Sequence, residues 1–180
     1  MKKIKLQDKE FTKFIEAVAI DKAIEKIAVQ MNKDLQNDAP LFLSILNGSF
    51  MFTSDLLKLI TVAGAEVCFM KVASYEGVSS TGKIQELIGL NKDITGRTVV
   101  ILEDIIDSGK SMSHLIETLK QKNPAKIKVA TMFFKPKALV CKVPIDYCGM
   151  ELENDFIVGR GLDYNGLGRN YPDLYILSEN

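Results

Sequence analysis

Tryptophan is absent, histidine occurs once and cysteine three times in the 180 residues. A lone histidine, His114, set among polar residues of a helical stretch, argues against a zinc site and reads as a surface bystander. Cys68, Cys141 and Cys148 leave one thiol unpaired under any disulfide scheme, and none belongs to a C-x-x-C. Apolar neighbours flank each, so all three read as buried free thiols in a cytosolic protein. An excess of one charge is missing too, with 23 Lys and Arg against 23 Asp and Glu. That balance gives no general pull toward nucleic acid or an anionic membrane, so neither is expected as a partner. Any anionic ligand must then be held by local features. No apolar run approaches the roughly 18 residues of a membrane span. The lysine-bearing start, MKKIKLQDKEF, has no apolar stretch behind it to make a secretory signal.

What is present is ordinary for a globular chain, 47% hydrophobic and 26% charged, and the length suits a single domain over residues 1–180. Ile20, Ile24, Ile27, Ala28, Met31 and Leu35 recur at helical spacing up to a turn at 37–40. LFLSIL (41–46) reads as a buried strand, NGSF as a turn, and FMFTSDLLKLI as a second helix. AEVCFMKVAS (65–74) is strand-like, followed by the polar stretch YEGVSSTGK. RTVVIL (97–102) is the clearest buried strand, with a helix through SMSHLIETLKQK after it. IKVATMFF (127–134), FIVG (156–159) and LYILS (174–178) are further strands. Such alternation predicts an α/β fold on a mostly parallel twisted sheet flanked by helices. Ligands of these sheets sit beyond the carboxyl ends of the strands, where Asn47, Glu103 and Lys135 fall.

The segment RTVVILEDIIDSGKSMSHLIETL concentrates the chemistry. Its apolar strand ends in adjacent carboxylates, Glu103 and Asp104, and Asp107-Ser108-Gly109-Lys110-Ser111 then opens a helix. Unpaired N–H groups of a first helical turn, with the helix dipole behind them, attract phosphate. Gly109 permits close backbone approach, and Ser108 and Ser111 can add hydroxyl donors. A Walker loop is excluded despite the GKS, because the glycine it needs five positions before Gly109 is Asp104. Alone, Glu103 and Asp104 could merely solvate a strand end, with Asp107 capping the helix. Joined to a phosphate-type turn, they describe a sugar-phosphate pocket: acids for ribose hydroxyls, amides for a 5′-phosphate.

This string closely resembles the phosphoribosyl-pyrophosphate motif of the type I phosphoribosyltransferases. Within them it resembles the hypoxanthine-guanine branch, where EDIIDTGKT is typical; serine replaces threonine twice here. The resemblance implies the family's sheet with a small hood formed by the termini. It implies transfer of phosphoribosyl from phosphoribosyl pyrophosphate to a 6-oxopurine, dependence on Mg²⁺, and a homodimer or homotetramer. Glu103 and Asp104 would then hold the ribose, residues 107–111 the 5′-phosphate, and Asp107 the proton at purine N7. LNGSFMF resembles the pyrophosphate loop, giving that role to Asn47 and Gly48, with a peptide before Asn47 that is often cis in the family. Lysine or arginine often stands where Asn47 is, which leaves the anion to backbone donors. Ser74 and Tyr75 resemble the start of the loop that closes over the reacting centre. Lys135 matches the lysine that donates to the purine's 6-oxygen; an ammonium only donates, so adenine's amino group is disfavoured. In NDFIVGRGLDYNGLGRNYPDLY, Phe156 matches the residue stacking on the purine and Ile157 the one whose backbone meets its far edge. Asp163 matches the family's magnesium- and pyrophosphate-side acid, also counted with the purine contacts, making Glu103, Asp104 and Asp163 the metal candidates. Arg169 matches a pyrophosphate ligand, with Gly166 and Gly168 where bulkier residues are common. Each segment also has a plainer reading: a strand-to-helix turn at 46–49, an exposed hairpin loop after Ser74, a solvated lysine at 135, core strand at 156–157. Two other functions stay open on these residues: a transferase of different base preference, and a regulatory protein binding nucleotides or RNA without turnover.

Overall fold

The computed structural model describes residues 2–73 and 85–178. Strands β1 (Lys3–Leu6) and β2 (Lys9–Ile15) make an antiparallel hairpin, and α1 (Ala17–Asp34) follows. Then come β3 (Leu41–Leu46), α2 (Phe50–Leu57), β4 (Glu66–Ala73) and β5 (Gln85–Ile88). After these are β6 (Thr98–Ile106), α3 (Lys110–Lys120), β7 (Lys126–Phe134), β8 (Tyr147–Glu151), β9 (Ile157–Val158) and β10 (Leu174–Leu177). The large sheet has the order β5-β4-β3-β6-β7-β8, parallel except for the edge strand β5. The small antiparallel sheet, β1-β2-β10-β9, is the expected hood built from both ends of the chain.

Strand alternation divides the core. Phe42, Val100 and Leu102 face one way, against Ile20, Ile24, Ile27 and Met31 of α1 and Phe52 and Leu56 of α2. Leu41, Leu43, Val99 and Ile101 face the other, against Met112, Leu115, Ile116 and Leu119 of α3. Both faces of β3 and β6 are therefore covered, which is why their sequences read as unbroken apolar runs. A smaller core of Leu6, Phe11, Val158 and Tyr175 holds the hood.

Several boundaries differ from the sequence reading. Strand β6 continues four residues past Leu102, because its ladder with β7 runs on through Glu103↔Thr131 to Ile106↔Phe134. The two acids thus lie within the strand, not at its end. Helix α2 stops at Leu57, and β9 stops at Val158 because Gly159 turns to positive φ. The β1–β2 hairpin, β5 and β8 had no counterpart in the sequence reading. Only Cys68 is buried; Cys141 is half-buried, and Cys148 is exposed on β8, where alternate residues face outward at the sheet edge.

Candidate active site

The floor of the site is the passage from β6 into α3. Gly109 takes φ +76°, caps the helix start without side-chain help, and leaves the first-turn N–H groups open. Its hydrogen is required: a Cβ there would stand 2.6 Å from the Cys141 carbonyl oxygen and 2.9 Å from Leu139. Asp107 precedes this turn and accepts from the Ser108 N–H, so it does not occupy the capping position. Glu103 is half-buried, yet its carboxyl is desolvated. Burial first, then the adjacent Asp104 charge and Asp107 beyond it, push its pKa well above the usual carboxylate value.

One wall is the end of β3. The Leu46–Asn47 peptide is cis, as the family resemblance suggests. Gly48 lies so close to Asp104 that any side chain at 48 would coincide with its carboxylate. Behind this loop is a buried hydroxyl cluster: Ser44 Oγ lies 2.8 Å from both Ser49 Oγ and Thr53 Oγ1, and Ser49 donates to the Ile45 carbonyl. Sequence reasoning did not single out these residues, since three small hydroxyls spread over a strand and a helix carry no motif.

The facing wall is the loop after β9. Gly159, Arg160 and Gly161 all have positive φ. A Cβ at 161 would come 2.0 Å from the Gly48 carbonyl oxygen, so the two loops touch backbone to backbone. Arg160 is 5% exposed and pairs with Asp21 and Asp55, tying this loop to α1 and α2. The sequence reading passed over Arg160 as well. Arg169 donates to the Gly161 carbonyl at 2.7 Å and pairs with Asp163, whose other oxygen accepts from Gly166 N–H at 2.6 Å. A cavity of about 310 Å³ brings together Asn47, Gly48, Glu103, Asp104, Asp107, Gly109, Ser111, Asp163 and Arg169. A larger hollow of about 390 Å³ lies by Glu117, Lys120, Lys126 and Lys142, and it gathers none of the sequence-predicted residues.

Ser108, Lys110, Lys135, Phe156 and Ile157 lie outside that lining. Lys135 is tied to the site through its N–H, which donates to the Ile106 carbonyl, and its ammonium donates to the Asp155 carbonyl at 2.7 Å. Burial lowers its pKa, with Asp107 and Asp155 acting the other way. Phe156 is 45% exposed, whereas Ile157 is buried and pairs with Ile176. Ser74 and Tyr75 fall outside the described residues. Among the described residues, no group of three or more His, Cys, Asp or Glu is arranged to hold a metal ion by itself.

A phosphoribosyl transferase domain model matches residues 14–165. Hypoxanthine-guanine phosphoribosyltransferase of Streptococcus pyogenes serotype M3 is 40% identical over 156 residues, 86% of each chain. A crystal structure of a hypoxanthine phosphoribosyltransferase from Staphylococcus aureus superposes with TM-score 0.88 at 32% identity, over 93% of this chain and 91% of that one. The hypoxanthine phosphoribosyl transferase of Trypanosoma cruzi, studied for the role of its C-terminal region in oligomeric state and activity, gives TM-score 0.87 at 26% identity, over 97% and 95%.

Proposed function

Because the chain belongs to the phosphoribosyl transferase domain family, we propose that it moves the 5-phosphoribosyl group of phosphoribosyl pyrophosphate onto hypoxanthine or guanine. The products are IMP or GMP and pyrophosphate, which makes it a purine-salvage pentosyltransferase. One observation carries this reading: acids 103 and 104, residues 107, 109 and 111 of the turn, Gly48 and the Asp163–Arg169 pair converge on a single cavity.

Purine N9 bonds to C1′ as the C1′–pyrophosphate bond breaks, with positive charge developing on the ribose. Glu103 and Asp104 orient the ribose hydroxyls and offset that charge. Ser108, Gly109, Lys110 and Ser111 hold the 5′-phosphate at the α3 N-terminus. Backbone donors at Gly48, the Asn47 amide and Arg169 take the pyrophosphate. Lys135 donates to the 6-oxygen, Phe156 stacks on the ring, Ile157 and Asp163 meet its far edge, and Asp107 manages the N7 proton.

The acids also suit magnesium. Asp104 and Asp107 add negative charge beside the desolvated Glu103 carboxyl, a setting that a cation relieves. A hard cation held by one or two carboxylates takes its remaining ligands from substrate phosphates. Glu103 and Asp104 would hold it, with Asp163 across the cavity engaged by Arg169 and Gly166, and it would supply neutralisation of the leaving pyrophosphate. The working form is a cytosolic homodimer or homotetramer, to be read by sedimentation. The deciding experiment is turnover of phosphoribosyl pyrophosphate with hypoxanthine, guanine, xanthine, adenine and uracil. Nucleotide formed from hypoxanthine or guanine is expected. Preference for adenine, or binding without turnover, would overturn this reading.

A further inference from the structure

Residues 6–11, the β1–β2 turn and its flanks, lean on the loop that carries Asp163 and Arg169. Tyr164 Oη donates to Asp8 Oδ1 at 2.9 Å, and Asn165 Nδ2 donates to Gln7 Oε1 at 3.0 Å. The Asp8 pKa is lowered and the Tyr164 pKa raised chiefly by that shared bond, so the pair stays donor and acceptor through the neutral range. Lys9 and Phe11 project from the same side of β2. The Lys9 ammonium stands 4.7 Å from the Tyr164 ring centroid and 5.6 Å from that of Phe156. Phe11, fully buried, lies 6.1 Å from both rings, and Tyr164 meets Phe156 edge-on at 5.9 Å and 87°. Leu6 closes the arrangement: a Cβ on Gly168 would come 2.8 Å from its Cδ1. Glycine at 168 is thus matched to the hairpin beneath it.

We propose that the β1–β2 turn is a positioning element for the nucleobase, in which Asp8 and Lys9 hold Tyr164, and Tyr164 with Lys9 sets the plane of Phe156. Phe156 is exposed, with 45% of its surface free, so its orientation is decided by what lies against its covered side. The inference rests on the base-stacking role given to Phe156 above. None of the three bracing side chains lines the phosphate-side cavity, so the brace acts on the base and not on the ribose or pyrophosphate.

Lys9→Met keeps most of the stem and removes the charge, and Tyr164→Phe keeps the ring and removes the donor. Each is assayed in the full chain with hypoxanthine and phosphoribosyl pyrophosphate varied separately. The expected result is a KM for base raised about two- to fivefold, the size of one exposed cation–π contact or hydrogen bond. KM for phosphoribosyl pyrophosphate should be unchanged, and Tm should fall by no more than about 2–4 °C. Lys9→Arg should restore the wild-type base KM, since guanidinium also sits over aromatic faces. Asp8→Ala combined with Tyr164→Phe should cost no more than either alone, because both remove the same bond. An unchanged base KM in all variants, or equal rises in both KM values, would overturn the brace. A wild-type protein that forms no nucleotide would instead remove the parent reading, and the brace with it.

Discussion

A carboxylate just before a helix can cap it or carry a proton, and at Asp107 the geometry removes the first role. Gly109 holds the capping position, while Asp107 accepts from the neighbouring Ser108 N–H. Asparagine keeps that acceptor oxygen. Asp107→Asn should therefore leave Tm unchanged while kcat falls roughly 10²-fold or more; a near-normal kcat would return the residue to a structural role. Lys135→Ala should lower kcat/KM for hypoxanthine and guanine about tenfold, the loss of one charged hydrogen bond, with affinity for phosphoribosyl pyrophosphate unchanged. Loss confined to the pyrophosphate side would show that Lys135 faces the other substrate. Glu103 gives a stability prediction. Its folded-state pKa is raised, so the native chain keeps a proton that the unfolded chain has released. Stability of the ligand-free protein should consequently fall as pH rises from about 4.5 toward the raised value. Thermal melts across that range should flatten in Glu103→Gln, and an unchanged slope would count against the desolvated carboxyl.

The turn into α3 concentrates constraint on one residue. Gly109→Ala must adopt positive φ and push against the Cys141 carbonyl and Leu139, a cost of roughly 2–4 kcal/mol. In a chain of this size that is about 5–15 °C of Tm, with weaker binding of phosphoribosyl pyrophosphate. A melt within about 2 °C of wild type would show that the turn can relax. This element was legible because its parts are adjacent in sequence: an apolar run, two acids, then a glycine-and-serine turn. Asn47 and Gly48 were legible as cavity residues for the same reason, following a buried run, whereas Lys135, singled out on the same ground, lies outside the lining. The length of β6 was not, since polar Glu103 and Asp104 end the hydrophobic pattern while the backbone ladder with β7 continues beneath them. The β1–β2 hairpin was hidden by its lysines, which make an alternating edge strand look like a solvated tail. Arg160 gave no local sign, because its partners Asp21 and Asp55 lie more than 100 residues away in sequence.

Over the whole molecule the site spans two sheets. Asn47, Glu103, Asp104 and Asp107 belong to the large parallel sheet and its loops, whereas Phe156, Asp163 and Arg169 flank or follow β9 of the small one. Magnesium dependence tests the first part: transfer should vanish in excess chelator and return on adding magnesium. Full activity under chelation would make the carboxylates structural. The small sheet has a consequence in time. Its strand β2, residues 9–15, pairs with β10, residues 174–177, so it joins segments far apart in the order of synthesis. At about 5–20 residues per second, the hairpin waits on the order of ten seconds for its partner to be made. By then β3, β4, β6 and β7 have all been synthesised. A newly made chain can therefore assemble the central strands of the large sheet before the small sheet is able to close.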